Sequence, residues 1–205
     1  FILMGYVCDQ AGLMERMFKA FRDLFAPLRG SLYLVVIATA TLFGIAAGTV
    51  GATVVLLGIM AGPMMTKAGY DVRMSAGAIT AGGTLGILIP PSVMLIVMGP
   101  VVGVPATDLF AAAVIPGLLL ASLYIVYTLV RSYINPALGP ALPPEERAGS
   151  LGEVVRELVL GIAPVVVVIF ATLGVILAGI ATPTDAGAVG AFAVLLLTLA
   201  YRSMT

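Results

Sequence analysis

The stretch that decides the fold is GGTLGILIPPS at residues 82–92, which interrupts a long apolar segment with two consecutive prolines. Because neither proline carries an amide hydrogen, the carbonyls of Gly86 and Ile87 lose their helical partners, and Ile89 is pushed out of the helical region. In hydrocarbon, an unsatisfied carbonyl is so unfavourable that such a break survives only inside protein or beside a polar cavity. Residues 75–102 are therefore predicted to form a broken transmembrane helix.

A second interrupted stretch lies upstream at residues 31–62, where FGIAAGTVGAT (43–53) places glycines in the middle of an apolar run. The run is too long for one ordinary helix, which spans a bilayer with about 20 residues, and glycine favours a break. It is either one tilted helix or a re-entrant hairpin. Lys and Arg flank both ends, and cytoplasmic loops concentrate these residues. Since the re-entrant hairpin puts all ten Lys and Arg on one side, the hairpin is predicted.

The composition defines the class of protein. Of the 205 residues, 61% are apolar and only 10% are charged, against about 25% charged in soluble domains. The chain has no His and one Cys, Cys8, which argues against His-based triads, zinc sites with His ligands and disulfide frameworks. Ten acidic and ten basic residues cancel, so no basic field indicates a nucleic-acid partner. We expect an all-α polytopic membrane protein that is not an enzyme.

The remaining segments complete the expected organisation. Residues 11–29 place apolar side chains on one helix face and charges on the other, which favours a helix in the membrane interface over an ordinary connector. The chain begins FILMGYV without an initiator Met and ends just after an apolar run, so an internal piece of a longer protein is expected. The predicted order is the end of a transmembrane helix (1–10), an interfacial helix (11–30), the hairpin (31–62), the broken helix (75–102), a transmembrane helix (109–133), a cytoplasmic loop (134–152) and two transmembrane helices (153–180 and 185–202).

The two interruptions fall at similar depth. At 1.5 Å per residue, the middle of the hairpin lies about 25 Å of helix from its start, and the Pro-Pro break lies about 22 Å from the start of its own helix. Neutral hydroxyls accompany them, and neither stretch holds a carboxylate. This chemistry suits a sodium ion and a small anion better than a proton relay. The alternative is that the prolines form only a kink and that the glycines serve close helix packing.

Several motifs together resemble a known family. FGIAAGTVGATVVLLG (43–58), PMMTKAGYD (63–71), AGGTLGILIPPSVMLIVMG (81–99), DLFAAAVIPGLLL (108–120) and GIATPTDAGAVGA (179–191) resemble the DctM-type large membrane subunit of tripartite ATP-independent periplasmic (TRAP) transporters. The likeness covers nearly the whole chain. Two departures stand out: Ala47 to Val50 replace a Ser-Gly-Ser-Ser run common at the family's hairpin tip, and Asp185 replaces a Glu.

The resemblance implies an elevator-type transporter built from two inverted repeats, of which this chain holds one and the start of the second. It implies a bacterial inner-membrane subunit of a sodium-coupled importer of small organic anions, typically carboxylates, with a small membrane subunit and a periplasmic binding protein as partners. Sodium is the coupling ion, and no other metal or cofactor is expected. The implied sodium-binding residues are Gly48, Thr49, Thr53, Thr84, Gly86 and Pro90, and the implied substrate-binding residues are Ala47, Pro91 and Ser92.

Two other functions stay open at this point. One is a sodium- or proton-coupled anion transporter of related hairpin architecture that works without a binding protein. The other is a membrane-embedded enzyme or scaffold, against which the missing His and the lack of acidic residues within the predicted broken elements argue.

Overall fold

The computed structural model describes residues 2–48, 50–142 and 151–200, and this part of the chain consists of helices joined by turns and short loops. A π-helical turn at Phe170–Gly174 joins two of the helices. The helices are α1 (Ile2–Gln10), α2 (Leu13–Phe25), α3 (Ser31–Ala47), α4 (Val50–Lys67), α5 (Val72–Leu88), α6 (Val93–Val102), α7 (Ala106–Ile134), α8 (Leu151–Ile169), α9 (Val175–Leu177) and α10 (Pro183–Ala200).

Three helical segments are long and apolar enough to cross a membrane, namely Val50–Lys67, Ala106–Ile134 and Val154–Leu177. The pair α5 and α6 makes a fourth if it is counted as one span, bent by 48° at its break. The chain is therefore an all-α polytopic membrane protein, as predicted.

Helices α3 and α4 form a hairpin whose two outer ends meet. Tyr70, in the turn after α4, accepts a hydrogen bond through its hydroxyl from the Leu32 backbone N–H at 3.3 Å and pairs with the Ser31 hydroxyl at 3.3 Å. Burial raises the pKa of Tyr70, so its phenol stays protonated and able to donate. The first turn of α3 thus lies beside the last turn of α4. Whether this hairpin re-enters the membrane stays a prediction.

The second arm of the hairpin is longer than predicted, because α4 continues past Pro63 to Lys67 rather than ending near residue 62. Its terminator is Gly69, which adopts a left-handed φ of 77°. The N–H of Tyr70 donates to the Met65 carbonyl at 2.9 Å, and the N–H of Gly69 donates to the Thr66 carbonyl at 3.1 Å. This Schellman arrangement satisfies the last carbonyls, so the glycine, not the proline, ends the helix.

Helix α5 packs between the arms of the hairpin through glycines. A Cβ placed on Gly82 would lie 3.0 Å from Ala40 Cβ of α3, and one placed on Gly83 would overlap the Val54 side chain of α4. One further turn along, Gly44 of α3 faces the backbone of Gly86. Helices α3 and α5 therefore run parallel, and α4 returns antiparallel to both.

The loop after α7 forms hydrogen bonds with the base of the hairpin. The Tyr33 hydroxyl donates to the Leu138 carbonyl at 2.6 Å, and the backbone N–H of Asp71 donates to the same oxygen at 3.1 Å. Gly30 N–H donates to the Gly139 carbonyl at 2.9 Å. One short loop thus holds the start of α3 and the start of α5 together.

The amphipathic helix α2 buries its apolar stripe in protein. Ala20 and the Arg16 carbonyl of α2 lie against Gly161 of α8, where an added Cβ would come within 3.0 Å of that carbonyl. Helices α8 and α3 pack against this helix. Its position relative to the membrane surface stays a prediction. The buried residues are Leu13, Met14, Met17, Phe18, Ala20 and Phe21.

The predicted transmembrane helix at 153–180 corresponds to the apolar segment Val154–Leu177 and contains a wider turn. A π-helical turn occupies Phe170–Gly174, and the hydroxyl of Thr172 within it donates to the Val168 carbonyl in the preceding helix at 2.8 Å. Such hydroxyl bonds compete with the backbone ladder, which is a physical reason for the wider turn.

Candidate functional site

The Pro-Pro sequence ends α5, because proline has no amide hydrogen to continue the helical hydrogen bonds. The last regular bond runs from the Ile89 N–H to the Leu85 carbonyl at 2.8 Å, and Ile89 itself is extended, with φ −90° and ψ 125°. The two prolines follow, joined by a cis peptide bond, and α6 begins after Ser92. Because Pro90 lacks an amide hydrogen, the carbonyl of Gly86 has no helical partner at this position.

The tip of the hairpin touches this break. Gly48 ends α3 with a left-handed φ of 64°, and its N–H donates to the Gly44 carbonyl at 2.8 Å. A Cβ placed on Gly48 would lie 2.9 Å from the Pro91 carbonyl oxygen. Glycine is thus required here twice, by the backbone angle and by the contact. The two interruptions, predicted to lie at similar depth, are in contact.

Two further close approaches hold the break in place. A Cβ on Gly44 would lie 2.8 Å from Gly86 Cα, so α3 and α5 are in backbone contact one turn before the tip. A Cβ on Gly117 of α7 would lie 2.6 Å from Ile89 Cγ1. The break is therefore clamped between the hairpin on one side and α7 on the other. Sequence reasoning missed Gly117, although its place directly after Pro116 in the quoted motif PGLLL was a usable signal.

Ser92 presents an unused hydroxyl at the break. The side chain is fully buried, and its oxygen has no hydrogen-bond partner among the described residues. Ser92 occupies the N-cap position of α6 but makes no capping bond. A helix start carries partial positive charge and free N–H groups. A buried, unpartnered hydroxyl at such a point can donate to an anion or offer its oxygen to a cation.

The structure brings together most, but not all, of the residues implied by the resemblance. Gly48, Gly86, Pro90, Pro91 and Ser92 surround the contact of tip and break, and all are buried. Thr53 is fully buried on the stripe that α4 turns inward. Thr49 and the side chain of Ala47 lie outside the described part of the chain.

Thr84 is the exception among these residues. Its side chain is exposed, and its hydroxyl donates to the Ala81 carbonyl of its own helix at 2.7 Å. Thr84 lies about 200° around α5 from Gly82, so it faces away from the hairpin. A sodium-ligand role for Thr84 would require a contact from elsewhere in the protein.

The whole chain, residues 1–205, matches the family described as the DctM component of the tripartite ATP-independent periplasmic transporter. The chain belongs to this family. It is 31% identical to the 2,3-diketo-L-gulonate TRAP transporter large permease of Escherichia coli and 32% identical to the C4-dicarboxylate TRAP transporter large permease DctM of Rhodobacter capsulatus. The whole chain aligns with each of these two relatives. The aligned part spans 47% of the length of the Escherichia coli protein and 48% of the Rhodobacter capsulatus protein. An ectoine TRAP transporter large permease of Halomonas elongata is 30% identical over all of this chain and 46% of its own length.

The two broken elements of this DctM chain carry no charged side chain. Residues 31–66 and 74–107 contain no Lys, Arg, Asp, Glu or His. The groups available at the contact are therefore backbone carbonyls, helix-start N–H groups and hydroxyls. Groups of these kinds are able to coordinate a cation or an anion without changing protonation state near neutral pH.

Proposed function

We propose that this chain forms part of the permease of a sodium-coupled TRAP importer in the bacterial inner membrane, which moves a small organic anion inward. The observation that carries the proposal is the contact of Gly48, at the hairpin tip, with the Pro91 carbonyl at the helix break. Transporters build substrate and ion sites from interrupted helices at the middle of the bilayer. The DctM family membership supports the same function.

Sodium coupling is supported by the chemistry of the contact. Neutral oxygens are the ligands that suit Na⁺, and a proton relay would need titratable side chains that the broken elements lack. We propose that carbonyl oxygens near Gly48, Gly86 and Pro90, together with the Thr53 hydroxyl, coordinate the ion. We also propose Thr49 as a sodium ligand, because it follows Gly48 in the chain. Thr84 is left out, because its side chain faces away from the hairpin.

The anion is proposed to bind at the start of α6. The Ser92 hydroxyl donates to it, and the free N–H groups of the first turn add the positive end of the helix dipole. Pro91 and Ala47 line the same place. The relatives are named for several small organic acids, so a small organic acid is the proposed substrate class.

The proposed partners are a small membrane subunit and a periplasmic binding protein that delivers the substrate. The transport step is proposed to be an elevator movement in which the hairpin and α5 travel as one body. The close glycine contacts of α5 with α3 and α4 support that rigid unit.

The sodium site is tested without knowing the substrate. The protein expressed from its full gene is melted in detergent in NaCl and in KCl of equal ionic strength. At a sodium concentration about tenfold above its Kd, binding stabilises the fold by about 1.4 kcal/mol. The sodium-specific shift should vanish in Thr53→Val and persist in the control Thr84→Val. Equal shifts in both variants, or no difference between the two salts in the wild type, would overturn the site.

The transport function is tested in proteoliposomes that also hold the small subunit and receive the binding protein. The probes are radiolabelled C4-dicarboxylates, ectoine and 2,3-diketo-L-gulonate. An inward sodium gradient should drive accumulation of at least one of them, and a potassium gradient should not. Uptake that is indifferent to sodium would reject the coupling.

A further inference from the structure

A cavity of about 700 Å³ lies at the base of the hairpin, away from the contact of tip and break. The first turns of α5 form one wall, and the last turns of α7 form the other. Residues of both helices that line it include Asp71, Arg73, Met74, Tyr124, Tyr127 and Arg131.

The charges at this cavity sum to one positive charge. Arg73 and Arg131 line it, and Asp71 is the single acidic residue among its lining residues. The Asp71 carboxylate is already engaged, because it accepts from the Met74 N–H at 2.8 Å as the N-cap of α5. Neither arginine forms an ion pair within the described residues. Two guanidinium groups and one carboxylate give the lining one net positive charge, which matches the single negative charge of a phosphodiester.

The rest of the lining is apolar and aromatic. Along α5 the cavity extends from Asp71 to Ala81, which corresponds to about 15 Å of helix. Ile37 and Ala78 are among the apolar residues beside this length. Tyr127, which lines the same cavity as the two arginines, is 61% exposed, and tyrosines favour the level of lipid headgroups. A soluble phosphate would use only the charged end of this cavity, whereas a lipid would use its whole length.

We propose that this cavity binds an anionic phospholipid, with the phosphate between Arg73 and Arg131 and the upper part of one acyl chain along α5. The Lys and Arg distribution predicts this end of the chain to be cytoplasmic, where basic pockets between helices recognise acidic headgroups. The lipid bridges α5, which belongs to the proposed moving unit, to α7. It would therefore stabilise the position of one helix against the other.

Binding is measured on the protein expressed from its full gene, purified in detergent and titrated with phosphatidylglycerol, phosphatidylcholine or inorganic phosphate while its thermal melting is followed. Phosphatidylglycerol should raise the melting temperature, and the other two should not. Arg73→Gln and Arg131→Gln should each weaken the apparent affinity about tenfold, whereas the exposed Arg29→Gln, outside the cavity, should bind as the wild type does. Equal responses to the two lipids, or a response to phosphate alone, would overturn the proposal.

A second measurement does not depend on stability. The 205 residues contain no Trp, so Tyr127→Trp adds a fluorophore at the cavity mouth, and the parent protein supplies the background. Brominated phosphatidylglycerol should quench the added fluorescence at lower concentration than brominated phosphatidylcholine, and Arg131→Gln in the same background should remove the difference. Identical quenching by the two lipids would contradict an anionic site.

Discussion

The crossing of α3 and α5 at Gly44 is where a single methyl group would perturb the proposed site most directly. In Gly44→Ala the new Cβ would lie 2.8 Å from Gly86 Cα and 3.0 Å from Gly86 N, whereas contacting carbon atoms rest at about 3.5–4.0 Å. Since both neighbours are backbone atoms, the helices must separate by about 0.7–1.2 Å. Overpacking of this kind costs about 1–3 kcal/mol.

The matched control is Gly58→Ala in the interior of α4, where an added Cβ meets no atom within 4 Å. Both substitutions gain about 1 kcal/mol of helix propensity, so this gain cancels between them and the overpacking remains. The unfolding entropy is about 2.1 cal/mol/K per residue, so for a protein as long as the relatives, of which this chain covers 47%, 1 kcal/mol corresponds to about 1 °C in melting temperature. Gly44→Ala should therefore melt about 1–3 °C below Gly58→Ala.

The assay is thermal melting followed by far-UV circular dichroism on the full-length protein in detergent. Because the Gly48 N–H is bonded to the Gly44 carbonyl, separating the helices also moves the hairpin tip. The sodium-specific stabilisation should shrink in Gly44→Ala and stay intact in Gly58→Ala. Equal melting temperatures for the two variants would refute the backbone contact between α3 and α5.

Three further substitutions have expected outcomes. Gly48→Ala should lower the melting temperature more than the control Gly103→Ala. Both substitutions force a left-handed alanine, which costs about 1–2 kcal/mol, but only the alanine at residue 48 would meet a carbonyl oxygen. Equal losses in melting temperature would argue against the contact. Ser92→Ala should melt no lower than the wild type, since it removes a buried hydroxyl that has no partner among the described residues. The same substitution should abolish uptake, and normal uptake would exclude a ligand role for Ser92. Tyr70→Phe should lower the free energy of unfolding by about 1–3 kcal/mol, because it leaves a buried backbone N–H without its acceptor. The control Tyr6→Phe, at an exposed position, should be neutral. Identical melting of the two variants would contradict the hydrogen bond at the base of the hairpin.

Both helix interruptions could be predicted because their causes are local and covalent. Pro90 and Pro91 lack amide hydrogens wherever they occur, and a left-handed residue such as Gly48 is readily supplied by glycine. The similar depth of the two breaks followed from the rise per residue of a helix. The C-terminus of α4 could also have been predicted correctly, since a glycine such as Gly69 ends a helix more often than a proline such as Pro63 inside an apolar run.

The outward position of Thr84 was within reach of the sequence as well. Gly82 and Gly86 are four residues apart and mark the face of α5 that approaches another helix. A residue two positions after Gly82 lies about 200° away from that face. Periodicity applied to the small residues would have separated Thr84 from the predicted sodium ligands.

Contacts between distant segments could not be predicted in the same way. An amphipathic stripe such as that of α2 has one pattern whether lipid or protein covers it, and the packing of α8 and α3 decides between the two. Arg73 and Arg131 are far apart in the chain, and their shared cavity depends on how α5 and α7 pack. Gly117 reaches Ile89 for the same reason.

The proposed transporter requires a hairpin that enters and leaves the membrane through one face while the broken helix crosses it. Cysteine accessibility tests this directly, since the one native cysteine of the chain, Cys8, is fully buried. Thr66→Cys marks the base of the hairpin, and Pro105→Cys marks the far end of the broken helix. A membrane-impermeant maleimide should label Thr66→Cys only from the cytoplasmic side and Pro105→Cys only from the periplasmic side. Labelling of both variants from one side, or of Thr66→Cys from the periplasm, would contradict this membrane topology.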